Sequence, residues 1–132
     1  MALLESTAVV PAQTTAAPTQ PAPVPAPAPT WRDTATVVLQ PGEGIELKLS
    51  MTEGETAIFE WTANGSVLNH DTHGDGNGQS ISYVKGRGVA GETGTLTAAF
   101  TGNHGWFWRN RTSDPVTLDL KLGGSYDRFI RP

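Results

Sequence analysis

The chain has 132 residues, with nine basic and thirteen acidic side chains and a formal net charge of −4. Because its basic residues are scattered and form no stripe that could follow a phosphate backbone, we expect no nucleic-acid partner. The absence of cysteine excludes disulfides, thiolate chemistry and cysteine-ligated zinc.

The first thirty residues differ in composition from the rest. They contain seven of the ten prolines, and proline occupies every second position from Pro21 to Pro29. Such a segment favours extended polyproline II and offers few backbone donors to a sheet. We therefore predict a disordered spacer over residues 1–30 and one domain over residues 31–132. No stretch approaches the roughly 20 apolar residues of a membrane helix, so we expect any membrane anchor to lie outside this chain.

Hydrophobic residues recur with a period of two along the second part of the chain. Alternation is strict over Ile45–Met51 and Val116–Leu122, and it is similar over Ala57–Ala63 and Leu96–Phe100. Clusters of glycine, asparagine and proline separate these segments, and no window carries a helical stripe. The pattern predicts an all-β fold, an antiparallel sandwich or barrel, and we expect a jelly-roll-like β-sandwich.

All three histidines fall in two glycine-rich stretches, residues 69–75 and 103–108. Both stretches are hydrophilic and lie between predicted strands, so we expect loops. If the chain turns between His70 and His73, and if the second stretch lies nearby, the donors suit zinc, copper or nickel. The predicted ligands are His70, His73, His104, Asp71 and Asp75.

The same residues have other interpretations. The aspartates can close a loop through hydrogen bonds to the backbone, which would leave the histidines as ordinary loop residues. Calcium is less favoured, because the loop lacks the twelve-residue pattern that ends in glutamate. If a metal binds with an open position, Glu60 or Asp75 is the candidate base for an activated water.

A second unusual stretch is rich in aromatic residues and arginine. Alternation sends Trp106 and Trp108 to one face and Phe107 to the other, and Arg109 and Arg111 share the parity of Phe107. Either the tryptophans or Phe107 can form the core, and the remainder is a candidate face for a partner. The predicted partner-binding residues are Trp106, Phe107, Trp108, Arg109 and Arg111.

No catalytic motif is recognisable. The chain lacks a Gly-x-Ser-x-Gly elbow and a His-Glu-x-x-His helix, and its serines have no identifiable base. We therefore predict no catalytic residues and a protein that is not an enzyme.

The motifs at residues 41–44, 60–61, 70–75 and 100–111 resemble a family of small bacterial proteins described as transmembrane anchor proteins. The resemblance covers Thr34 to Tyr126 and implies an exported β domain at the periplasmic face of the inner membrane. The family has a membrane helix that this sequence lacks, and no biochemical activity is implied. The layout is more distantly similar to the GOLD-type β-sandwich of eukaryotic cargo receptors.

Two functional hypotheses follow. The first is a non-catalytic, exported β domain on a tether that binds a protein or another macromolecule of the cell envelope. The alternative is a zinc- or copper-binding domain that uses the histidine and aspartate residues.

Overall fold

A computed structural model describes residues 30–131, so the predicted spacer up to residue 29 lies outside the described part of the chain. No helix long and apolar enough to cross a membrane occurs among residues 30–131. These residues form nine strands: β1 Trp31–Leu39, β2 Gly44–Met51, β3 Thr56–Thr62, β4 Leu68–Gly76, β5 Gln79–Val89, β6 Gly91–Thr97, β7 Gly102–Arg109, β8 Val116–Gly124 and β9 Arg128–Ile130.

The strands form two antiparallel sheets that face each other. The four-stranded sheet has the order β1-β8-β3-β6, and the five-stranded sheet has the order β5-β4-β7-β2-β9. Strands one to four pair in turn with strands eight to five, as in one long hairpin whose tip joins β4 to β5. Winding that hairpin brings β8 beside β3 and β4 beside β7, which gives a jelly-roll sandwich.

The turn at the tip of the long hairpin contains the residue types that its backbone conformation requires. Gly76 pairs with Gln79, and the two residues between them, Asn77 and Gly78, have φ values of 51° and 76°. Positive φ at both central positions defines a type I′ turn, for which Asn-Gly is the preferred pair. The turn signal in the sequence therefore marks the middle of the hairpin.

The core lies between the two sheets. Alternate residues of β2 and β8 point inward, as their sequence alternation predicts, and Leu49, Leu118 and Leu122 are fully buried. Three indoles fill the centre: Trp61 from β3, and Trp106 and Trp108 from β7. The predicted all-β sandwich is thus confirmed.

Two predicted loops are strands in the structure. Residues 69–75 belong to β4, and residues 103–108 belong to β7. The hydropathy pattern does not reveal the alternation of β4, because the inward-facing residues His70 and Thr72 are polar although they are buried. The predicted strand at Leu96–Phe100 is also displaced, since β6 runs from Gly91 to Thr97.

Replacing Gly78 by alanine is expected to destabilise the fold. A residue with a Cβ atom is strained at a backbone φ of 76°, which costs about 1 kcal/mol of stability. This site also lies in the turn that sets the register of β4 against β5. The free energy of unfolding in urea measures the loss. The variant Ser80→Ala, two residues further along the chain in β5, should change it by less than about 0.5 kcal/mol, and equal losses would contradict the assignment.

Candidate functional site

The outer face of the five-stranded sheet gathers charged residues from four strands. In one cross-strand row, Glu46 of β2, Phe107 of β7, Asp71 of β4 and Lys85 of β5 are neighbours. In the next row, Lys48 and His73 lie on either side of a glycine. We call the set Glu46, Lys48, Asp71, His73 and Asp75 the charged cluster.

Gly105 is the glycine at the centre of this cluster. Strand β7 approaches β2 so closely here that a Cβ would collide with the carbonyl oxygen of Leu47. With no side chain on β7 at this point, Lys48 and Glu46 of β2 reach across to the residues of β4. The close approach therefore joins charges that β7 would otherwise separate.

The charged cluster is held by contacts between basic and acidic side chains. Lys48 Nζ donates to Asp75 Oδ2 at 2.6 Å and lies 3.8 Å from Glu46 Oε2. His73 Nε2 lies 2.8 Å from Glu46 Oε2, and its Nδ1 lies 3.2 Å from the backbone oxygen of Asp71. Each of these side chains therefore has a partner of complementary character within the cluster.

The ammonium of Lys48 changes the acidity of Asp75. Its hydrogen bond and positive charge, with smaller contributions from His73 and His104, hold the pKa of the Asp75 carboxyl below its usual value. Burial opposes the change but does not outweigh these contributions, of which the Lys48 hydrogen bond is the largest. Asp75 is consequently ionised over the whole neutral range.

Phe107 and Arg109 form an ordered pair on the same face. The Phe107 ring lies over Gly44, where a Cβ would collide with it. The Arg109 guanidinium lies 5.1 Å from the centre of that ring and donates to the carbonyl oxygen of Gly42 at 2.6 Å. Phe107 is half-buried, whereas Arg111 follows the end of β7 and is exposed. Phe107 and Arg109 lie on the same face of β7, as the sequence predicts.

Trp106 and Trp108 point the other way and are 0% exposed. Their rings stack on each other with centroids 5.8 Å apart, and Trp108 meets Trp61 edge to face at 5.9 Å. Neither indole belongs to the surface, so the predicted partner-binding set loses both tryptophans. The core takes them because the inward face of β7 is opposite β3, where Phe59 and Trp61 supply matching aromatic surface.

His104 is a buried structural residue. Its Nε2 donates to the carbonyl oxygen of Phe100 at 2.7 Å, so its Nδ1 accepts the hydroxyl of Tyr83 at 2.9 Å. That hydroxyl in turn accepts the backbone N–H of Ala99 at 3.0 Å. Gly74 provides the space, since a Cβ there would collide with the imidazole. The glycine thus serves packing within β4, where we expected a loop.

His70 also lies inside the sandwich. Its side chain is 1% exposed, and its Nε2 is 3.4 Å from Glu92 Oε2 on β6. The ring meets Trp61 edge to face at 5.5 Å, and Nδ1 has no hydrogen-bond partner among residues 30–131. His70 therefore links the inner surfaces of the two sheets.

The structure does not bring the five predicted metal ligands together. His70 and His104 point into the sandwich, whereas His73, Asp71 and Asp75 lie on the opposite surface of the same sheet. This separation follows from the extended conformation of β4, in which residues three apart face opposite sides. Within the described range, no group of three or more histidine or acidic side chains is placed to hold a metal ion.

Sequence reasoning missed two members of the charged cluster, Glu46 and Lys48. They occupy the polar positions of the strictly alternating strand β2, and that alternation could have shown that they share one face. Their contact with His73 and Asp75 could not be read, because it requires that β7 lie between β2 and β4. Gly105 marks the point where these residues meet, but the sequence shows this only when the strand order β4-β7-β2 is already known.

Comparisons with known proteins assign this chain to no family. No family model and no curated protein matches this sequence. A solution structure of a de novo designed double-stranded β-helix is similar, with a TM-score of 0.40 and 14% identity over 68% of this chain and 97% of that chain. The jelly-roll assignment therefore rests on the strand order itself.

Replacing Lys48 by methionine should raise the pKa of Asp75 toward the usual value. The lowered pKa means that Asp75 contributes stability at neutral pH, and that this contribution is lost as the pH falls below about 4. In Lys48→Met this acid-dependent loss should shrink. Carboxyl chemical shifts followed through a pH titration give the Asp75 pKa directly.

Asp119 is the internal control for that titration. Hydrogen bonds from Thr36 and Asn64 lower its pKa on the other sheet, away from Lys48. Its pKa should stay the same in Lys48→Met. An unchanged Asp75 pKa would show that the Lys48–Asp75 contact does not persist in solution.

Replacing Tyr83 by phenylalanine should cost about 1–3 kcal/mol of unfolding free energy, because it leaves the buried Nδ1 of His104 without a donor. Urea unfolding measures the change. The neighbouring variant Ser82→Ala, on the outer face, should stay within about 0.5 kcal/mol of the wild type. A loss in Tyr83→Phe as small as that of Ser82→Ala would contradict the hydrogen-bond network.

Proposed function

We propose that this chain is a non-catalytic recognition module that binds a protein of the cell envelope through the outer face of its five-stranded sheet. The observation that carries the proposal is the placement of the Phe107–Arg109 pair in and beside the rows of the charged cluster. Phe107 lies directly between Glu46 and Asp71 in the register. An aromatic ring, a guanidinium and charges of both signs thus share one surface.

The Phe107–Arg109 pair has the properties of an interface anchor. Aromatic residues and arginine are enriched where alanine substitution costs most binding energy. The guanidinium is already held over the ring and against the carbonyl oxygen of Gly42, so little side-chain entropy remains to be lost on binding. A partner would meet a preorganised side-chain pair.

The charged cluster supports selectivity more than stability. The carboxylates of Glu46 and Asp75 are half-exposed, and ion pairs at a protein surface contribute only about 0–1 kcal/mol to folding. Charges of both signs at fixed positions instead favour a partner with the complementary pattern and disfavour others. Because the cluster adjoins Phe107, both features act on the same partner.

The remaining parts of the proposal rest on the sequence. The proline-rich residues 1–30 suit a tether, and the resemblance to anchor proteins supports export to the periplasmic face of a bacterial inner membrane. The non-catalytic character is supported by the carboxylates of the outer face, since Asp75 is engaged by Lys48 and Glu46 by His73.

A site-specific crosslinking experiment tests the proposal. A photoreactive phenylalanine analogue is placed at position 107 in the full chain and, as a matched control, at Thr117 on the outer face of the other sheet. After illumination of producing cells, we expect one dominant protein adduct from position 107 and none from position 117. Equal adducts from both positions would contradict the proposed face.

Affinity measurements with the purified crosslinked protein complete the test. Phe107→Ala or Arg109→Ala should weaken binding more than tenfold, which corresponds to about 1.4 kcal/mol or more. The control Thr117→Ala should leave affinity unchanged. If the two outer-face variants bind as tightly as the wild type, the Phe107–Arg109 pair is not the anchor.

A further inference from the structure

Strand β6 is an edge of the four-stranded sheet, and the inward-facing carboxylate of Glu92 is the one feature it carries of those that usually protect such edges. Its seven residues, Gly-Glu-Thr-Gly-Thr-Leu-Thr, include no proline, lysine or arginine, and their register with β3 is continuous. Exposed edges are normally interrupted by bulges, basic side chains or short length, because an open row of backbone groups recruits another strand.

The other three edges of the sandwich have these features. Strand β1 has a register irregularity between Trp31 and Asp33. Strand β5 has two irregularities and carries Lys85 and Arg87. Strand β9 has only three residues and begins with Arg128. Among residues 30–131, β6 is therefore the edge most suited to accept another strand.

The backbone groups that β6 leaves open can be identified. The N–H and carbonyl of Ala98, and the carbonyl of Ala90, bond to residues on the side of β3. Since alternate residues of an antiparallel strand direct their backbone groups to the same neighbour, even-numbered residues face β3. Gly91, Thr93, Thr95 and Thr97 consequently present donors and acceptors that no strand within residues 30–131 pairs.

We propose that two copies of this chain pair through β6, antiparallel and centred on Gly94, so that their four-stranded sheets become one continuous sheet. In this register Thr93 lies opposite Thr95 of the second copy, and Gly91 lies opposite Thr97. Every residue with free backbone groups then meets another such residue. The edge is thus complementary to itself.

The side chains of β6 are compatible with this pairing. Directly opposed threonines on the outer surface are a favourable cross-strand pair. On the inner surface Glu92 lies opposite Leu96 of the second copy, so no two carboxylates are directly opposed. At the centre the two Gly94 residues meet without side chains, and each is covered by its own Phe59 ring.

Exposed apolar side chains flank the same edge. Ile58 is 37% exposed and is the cross-strand neighbour of Thr95, and Val84 on β5 is 50% exposed. A cleft of about 260 Å³ lies beside β6, with Val84, Phe59 and Leu96 in its lining. A strand added to β6 would shield the apolar lining of this cleft from water, which favours association in addition to the hydrogen bonds.

This proposal is independent of the recognition function proposed above, since it uses the other sheet. The first test is sedimentation velocity of the full wild-type chain over a concentration series. We expect the mass to rise from one copy to two as the concentration increases. A mass of one copy at every concentration would overturn the proposal.

A charge-exchange experiment then locates the interface. In Thr93→Lys/Thr95→Lys each lysine lies opposite a lysine of the second copy, so the dimer should be lost, and Thr93→Glu/Thr95→Glu should be monomeric for the same reason. Mixing the two variants should restore a dimer with one copy of each. This restoration would also show that both variants are folded.

The matched control places the same charges on another edge. Thr34→Lys/Thr36→Lys introduces two lysines with the same spacing on β1, on the same outer surface, and should dimerise like the wild type. A dimer that survives Thr93→Lys/Thr95→Lys, or one that the β1 variant abolishes, would overturn the β6 assignment. Failure of the mixture to form a dimer would overturn the register centred on Gly94.

Discussion

The packing of three indoles between the sheets is the constraint on which the rest of this structure depends. Trp61 of β3 meets Trp108 of β7, and Trp106 stacks beside it, all with 1% exposure or less. Because side chains alternate along β7, burying the tryptophans directs Phe107 and Arg109 to the outer face. The composition of the candidate binding surface is therefore a consequence of core packing.

The same packing requires polar groups inside the sandwich. His104 shares the inward side of β7 with the tryptophans, and its two nitrogens are satisfied by Tyr83 and the carbonyl of Phe100. Asn110, which follows β7, is fully buried and bonds to Leu39 and Asp114 through its amide nitrogen. Such partners offset the cost of burying polar groups, and they tie β7 to β5 through Tyr83 and the end of β7 to β1 through Leu39.

The sequence could predict the strands whose inner side is purely apolar. The alternation of β2 and β8 indicates both the strand and its buried side, because isoleucine, leucine, valine and methionine occupy the alternating inward positions. For β4 the same periodicity is present, but the inward side carries His70, Thr72 and Gly74. Such residues are common in loops, and only a neighbouring aromatic core makes their burial favourable. Hydropathy therefore could not distinguish this strand from a loop.

The sequence by itself determined the β architecture and the fact that Phe107 and Arg109 share one side of their strand, opposite Trp106 and Trp108. Both are local properties of an extended backbone. Tertiary structure alone decided which side of β7 is buried, and that the five predicted ligands are divided between two faces. It also decided that Glu46 and Lys48 reach His73 and Asp75 across Gly105. These outcomes depend on which strands become neighbours, and neighbours from distant segments are selected by the packing of the whole core.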